Sequence, residues 1–192
     1  GVVIGDHVNQ QTYDEPEFLP FFQEAERTGA LVFLHQFGET IAARHNPRYR
    51  LPSTVGNLVE RSIGFATLVL GGVMDKFPGL KVYLGHGGGY VSYGVGRMDR
   101  GWEARPEARV NTKQPPSTYL RRFYYDCDTQ SEAALRFLID TVGADRVMFG
   151  TDFPSPWGPS EFPVQWLNSM ASVTPEEKEL IFHKNVERLL GL

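Results

Sequence analysis

An α/β fold built on a parallel sheet is predicted by three observations. Short apolar runs alternate with helical segments along the 192-residue chain. The runs are too short for helices and are bounded by glycine, proline and polar residues, as strands are. Three of them end in a residue able to hold a metal or move a proton. Leu31-Val32-Phe33-Leu34 runs into His35, Val82-Tyr83-Leu84-Gly85 into His86, and Val147-Met148-Phe149-Gly150-Thr151 into Asp152. In a parallel sheet the carboxyl ends of the strands line one face, where ligands bind. A doubly wound sheet and a TIM barrel both satisfy this alternation. Site residues on the ends of several different strands favour the barrel, although a complete barrel needs eight strands and roughly 250 residues, and only five units are legible here.

The elements follow in order. Val2–Ile4 reads as a short buried strand. Asp14-Glu15-Pro16 combines a cap residue, an early acid and a first-turn proline, and starts a helix that Gly29 stops. Leu31–Leu34 is the second strand. Residues 36–52 form a polar, irregular loop in which Arg44, His45, Arg48 and Arg50 cluster. Ser53 or Thr54 is expected to cap a long apolar helix reaching Leu70, and Gly71–Phe77 adds a turn before Pro78-Gly79. Lys81–Leu84 is the third strand, followed by a glycine-rich turn and a helix over Val91–Trp102. A loop closed by Pro115-Pro116 leads to a fourth strand, Phe123–Tyr125, and a helix over Ser131–Val142. Val147–Phe149 is the fifth strand. Helices over Phe162–Met170 and Pro175–Leu190 close the chain, the second opened by the capping-box pattern of Thr174-Pro175-Glu176-Glu177. No internal repeat or linker divides residues 1–192, which read as a single domain.

Composition excludes several classes. A net charge of −4 argues against nucleic acid or an anionic membrane as partner. No apolar run approaches the ~18–20 residues of a membrane span. Cys127 is the only cysteine, so the chain has no internal disulfide and suits a reducing cytoplasm. It reads as a small buried residue rather than a nucleophile.

Each candidate site residue has a plainer reading beside the functional one. A histidine closing a buried strand, as His35 does, is often a hydrogen-bonded core residue. Asp152, before Phe153-Pro154, suits a turn. His86 is set apart by Gly87-Gly88-Gly89, which permits close backbone approach. What unites the three is their shared strand-end position, and His with carboxylate is a ligand set for a zinc-like ion. They are therefore expected to converge. His7 suits a structural role, His183 the surface of the last helix, and Trp102 and Trp157 packing or pocket walls. Gly85–Gly89 lacks the spacing of a dinucleotide loop.

The motifs, taken together, resemble a known group. Val3-Ile4-Gly5-Asp6-His7-Val8-Asn9, Phe33-Leu34-His35, Gly71-Gly72-Val73-Met74-Asp75-Lys76-Phe77-Pro78, His86-Gly87-Gly88-Gly89 with Gly96-Arg97, and Gly150-Thr151-Asp152-Phe153-Pro154 occur in the order found in the amidohydrolase-related (amidohydrolase 2) family. The likeness is to its branch of aminocarboxymuconate-semialdehyde and resorcylate decarboxylases. The resemblance implies a metal-dependent (β/α)8 barrel, a TIM-barrel-type fold of the metal-dependent hydrolase superfamily. It implies His35 and Asp152 as metal ligands, and Asp152 together with His86 as the catalytic pair, His86 serving as acid or base. It further implies Arg97 as a substrate-binding residue that reaches the carboxylate in a neighbouring subunit, and it leaves Trp157 as a substrate-pocket wall. One divalent ion is expected, zinc first and manganese as the alternative. A small-molecule acid substrate and a homo-oligomer are expected as partners. The family's first strand carries a His-x-His or Glu-x-His pair, and this chain has none. It is thus expected to be the C-terminal part of a family member, holding the last five strand-helix units and associating with a missing N-terminal segment or another copy. The reaction expected is non-oxidative decarboxylation or hydrolysis of an unsaturated or aromatic acid, with an inactive fragment that only associates with a partner chain as the alternative.

Overall fold

The computed structural model describes residues 1–35, 39–155 and 163–192. Five strands lie where the apolar runs place them: β1 Val2–Ile4, β2 Leu31–Leu34, β3 Lys81–Leu84, β4 Phe123–Asp126 and β5 Val147–Met148. They form one sheet in the order β1-β2-β3-β4-β5, with every neighbouring pair parallel. A doubly wound sheet reverses its order at a switch point. This sheet adds each strand beside the one before it, which is barrel order, so the barrel reading holds and the doubly wound one does not. The register pairs Ile4 with Leu34, Leu34 with Leu84 and Leu84 with Tyr125, which levels the carboxyl ends.

The helices are α1 Leu19–Thr28, α2 Ile41–His45, α3 Asn57–Leu70, α4 Val73–Lys76, α5 Val91–Ala104, α6 Glu132–Val142, α7 Pro163–Ser169, α8 Pro175–Glu179 and α9 Asn185–Leu190. Strand side chains alternate between two faces. Val32, Leu34, Val82, Leu84, Phe123, Tyr125 and Val147 point one way and join Phe22 of α1, Phe65 and Leu68 of α3 and Leu135 of α6 in the main core. Each such side chain, fully buried, contributes about 1.5–3 kcal/mol. Tyr83 and Met148 point the other way, with Leu31, Phe33 and Tyr124 beside them, and Leu189 and Val186 of α9 cover this second cluster. Phe33 and Tyr83 meet edge to face at 4.5 Å.

The structure corrects the sequence reading in several places. Strand β1 is not buried: Val2 and Val3 are 40% and 49% exposed, because β1 is an edge strand with one neighbour. Asp14 does not cap α1. It accepts the Thr12 hydroxyl at 2.6 Å, and a 3-10 turn, Pro16–Phe18, leads into the helix. Neither Ser53 nor Thr54 caps α3, since Thr54 donates its hydroxyl to the Arg50 carbonyl and the chain enters through a π turn at Pro52–Gly56. The irregular stretch before it contains α2, capped by Thr40. The closing helix is broken by a second π turn, Leu180–Lys184, whose Ile181 carbonyl accepts the Phe149 N–H at 2.8 Å and so covers part of the β5 edge. The Thr174–Glu177 capping box is formed as expected. Phe162, the expected first residue of the preceding helix, lies outside the described residues. Among the described residues no helix is long and apolar enough to cross a membrane.

Candidate metal centre and cleft

His35 follows β2, and its N–H donates to the Ile4 carbonyl at 2.8 Å, so the β1–β2 ladder fixes where its side chain begins. His86 follows β3 by one glycine. Asp152 follows β5 and adopts φ 52°, the left-handed region in which Asp is among the tolerated residues. The three side chains converge as the strand-end argument predicts. His35 Nε2 lies 3.4 Å and His86 Nε2 3.9 Å from Asp152 Oδ1, and the two imidazole centroids are 5.1 Å apart. One donor atom from each falls within 4.8 Å of the others.

The turn carrying His86 is bent and clamped. His86, Gly87, Gly88 and Gly89 all have φ between 56° and 76°. A Cβ on Gly89 would sit 2.2 Å from the Leu58 carbonyl of α3, and one on Gly88 would sit 2.7 Å from the Tyr125 ring, so only glycine lets the turn lie this close. From the other side, buried Asp126 accepts the N–H of His86 at 2.8 Å, of Gly87 at 2.7 Å and of Asp128 at 3.1 Å. The Tyr90 N–H reaches Ser62 of α3. The His86 side chain thus stands on a backbone held by both β4 and α3.

Beneath it lies a buried ion pair, Arg61 with Asp6 at 2.5 Å. Burial, then the Arg61 guanidinium, then His35 push His86 down to about 4, against the opposing pull of Asp152. Burial and Arg61 likewise lower His35. Both imidazoles are therefore neutral near pH 7, the state a metal ligand needs. Burial raises Asp6 to about 6 despite Arg61 and Asp126 to about 6 despite its three N–H bonds. It raises Asp128 to about 7 with help from Asp126 and Asp152. Two neutral imidazoles and a carboxylate aimed at one point fit a divalent ion of the zinc or manganese type, and the buried His86 Nδ1 makes no hydrogen bond among the described residues.

These groups open into a cleft of about 1020 Å³. Leu58, Tyr90, Tyr93, Phe137 and Leu138 supply apolar wall, and Arg50, alone of the predicted basic cluster, lines it. Arg97 does not: it is exposed on α5 and absent from the cleft wall. Trp157 lies outside the described residues. His7 pairs with the Glu39 carbonyl at 3.0 Å, and His183 with Glu187 on the surface. Cys127 is buried and its thiol is pushed up to about 12, so it is no nucleophile.

Sequence reasoning missed Asp6, Arg61, Asp126 and Asp128. The signal for Asp126 and Asp128, at and just past the end of β4, was the one used elsewhere, a polar residue at the end of an apolar run. Arg61 had a fainter one, a charge four residues before Phe65 on the buried face of an apolar helix.

A parallel sheet in barrel order, with two histidines and an aspartate converging from three strand ends, defines a class: the metal-binding α/β barrels. Within it, the chain belongs to the amidohydrolase family, whose model matches residues 1–192. It is 36% identical over 194 residues to 2-amino-3-carboxymuconate-6-semialdehyde decarboxylase of Dictyostelium discoideum, covering 100% of this chain and 53% of that protein. The crystal structure of 5-carboxyvanillate decarboxylase from Sphingomonas paucimobilis superposes with a TM-score of 0.89 at 29% identity, over 100% of this chain and 58% of that one. A dihydroxybenzoic acid decarboxylase from Polaromonas sp. JS666, solved with bound manganese and 2-nitroresorcinol, shares the fold at a TM-score of 0.83 and 23% identity, over 95% of this chain and 56% of that one. The chain thus spans about half the length of the relatives it matches.

Proposed function

We propose that this chain forms the catalytic part of a metal-dependent, non-oxidative decarboxylase of a small aromatic or unsaturated carboxylic acid. The observation that carries the reading is the convergence of His35, His86 and Asp152 at the floor of an aromatic-walled cleft. The names of curated relatives, among them 2-amino-3-carboxymuconate-6-semialdehyde and gamma-resorcylate decarboxylases, support it over hydrolysis. His35 and Asp152 hold the ion, for which zinc and manganese both suit the donors. A divalent ion there supplies Lewis acidity toward an oxygen of the bound acid.

His86 moves the proton. An anionic substrate brings negative charge against the imidazole and favours its charged form. The imidazolium hands its Nε2 proton to the carbon that bears the carboxylate. The electron pair of the breaking C–C bond stays on that carbon, and CO2 leaves. Asp126 keeps His86 in place through the backbone, and Tyr90, Tyr93 and Phe137 provide flat apolar wall for a conjugated acid. To Arg97, exposed on α5, we assign a substrate carboxylate in a neighbouring copy, where its fork would give two parallel hydrogen bonds. The protein works as a homo-oligomer in the cytoplasm.

The test is turnover of 2,6-dihydroxybenzoate and 5-carboxyvanillate labelled with ¹³C at the carboxyl group, in D2O, by zinc- or manganese-loaded protein. Labelled CO2 and one deuterium at the vacated carbon are expected. Metal-loaded protein that releases no CO2 from any aromatic acid yet cleaves amides or esters would overturn the reading.

A further inference from the structure

We propose that Asp128 is a specificity-determining residue, whose carboxylate receives an O–H or N–H group of the substrate at a point of the cleft separate from the metal donors. Asp128 is 6% exposed and lines the cleft together with His35, His86 and Asp152. It stands outside the three-residue donor group, so it is available to an organic ligand. Its place is fixed from two sides: its own N–H is held by Asp126, and its Oδ1 accepts the Gln130 amide at 2.5 Å.

What it lacks is an ion-pair partner: among the described residues no Lys, Arg or His pairs with Asp128, and Gln130 is the side chain that donates to it. A carboxylate taken from water is costly unless donors replace the lost hydration. Gln130 gives one. The remaining capacity faces the cleft, and a hydroxyl or amino group on the ligand satisfies it. A bare acid offers no donor there. Asp128 is thus the point of the cleft that receives such a substituent, an assignment that rests on the decarboxylase reading.

The experiment is calorimetric binding, without turnover, of benzoate, 3-hydroxybenzoate, 4-hydroxybenzoate and 4-aminobenzoate to the zinc-loaded full chain and to its Asp128→Leu and Asp128→Asn variants. One hydrogen bond to a charged partner corresponds to roughly a 10–100-fold preference. The wild type is expected to bind at least one donor-bearing probe that much tighter than benzoate. In Asp128→Leu the affinity ratio collapses to near one, and in Asp128→Asn, isosteric and still able to accept from Gln130, it falls part of the way. If the leucine variant does not fold, the asparagine ratio decides. No preference in the wild type, or an unchanged ratio in the variants, overturns the assignment. An intact ratio in a protein that never releases CO2 sinks the decarboxylase reading instead and leaves Asp128 as a binding residue.

Discussion

Asp126→Ala removes the acceptor that clamps the turn bearing His86. Three backbone N–H groups, of His86, Gly87 and Asp128, lose their partner in a buried setting. Each such orphan costs on the order of 1–3 kcal/mol, so the gross loss is roughly 3–9 kcal/mol. Part returns, because the carboxylate itself is buried at a cost. Its rise from 3.8 to about 6 corresponds to on the order of 3 kcal/mol at neutral pH. The net destabilisation is therefore about 0–6 kcal/mol, centred near 3 kcal/mol, which corresponds to a fall in Tm of roughly 6–12 °C for a chain of this size. Thermal unfolding at pH 7 reads it. Because His86 is displaced rather than deleted, kcat should fall by about 100-fold while bound metal stays near one per chain. A variant with Tm within 2 °C of the parent and unaltered kcat would refute the idea that Asp126 holds the turn.

The remaining expectations are as direct. His35→Ala and Asp152→Ala should each lose the metal by elemental analysis, whereas His86→Ala should keep it and lose turnover; equal metal loss in all three would show that His86 is a ligand rather than a proton carrier. Asp126→Asn should show a pH-dependent difference from wild type. Between about pH 4 and 6 the folded wild type retains a proton that its unfolded chain has released, so wild-type stability falls as pH rises. Urea unfolding should therefore find the penalty of the substitution greatest near pH 4 and smaller, by on the order of 2–3 kcal/mol, at pH 7; a penalty that grows with pH contradicts the buried-acid argument. Gly89→Ala places a methyl 2.2 Å from the Leu58 carbonyl at a φ of 64°, and should lower Tm and kcat together; a neutral result would mean that the turn is free to move off α3.

The sheet was legible because parallel strands are short apolar runs, and each of the five expected runs is a strand. His35, His86 and Asp152 were legible because a barrel gathers strand ends, so position along the chain stood in for position in space. Cap residues misled: Asp14 and Thr54 have the right chemistry, but each found a nearer partner, Thr12 in one case and the Arg50 carbonyl in the other. Burial of β1 misled because Val2-Val3-Ile4 looks the same on an edge as in the middle of a sheet. The Asp6–Arg61 pair was invisible for a different reason, since its members lie 55 residues apart and only the packing of α3 against the end of β1 brings them together.

The central claim is that His35 and Asp152 hold one divalent ion beside His86. Anomalous diffraction from crystals of the zinc- or manganese-loaded protein tests it in a single map. The account predicts one strong peak at roughly 2.0–2.2 Å from His35 Nε2 and an Asp152 carboxylate oxygen, within reach of His86. A peak elsewhere, or none in protein shown to contain stoichiometric metal, would contradict it.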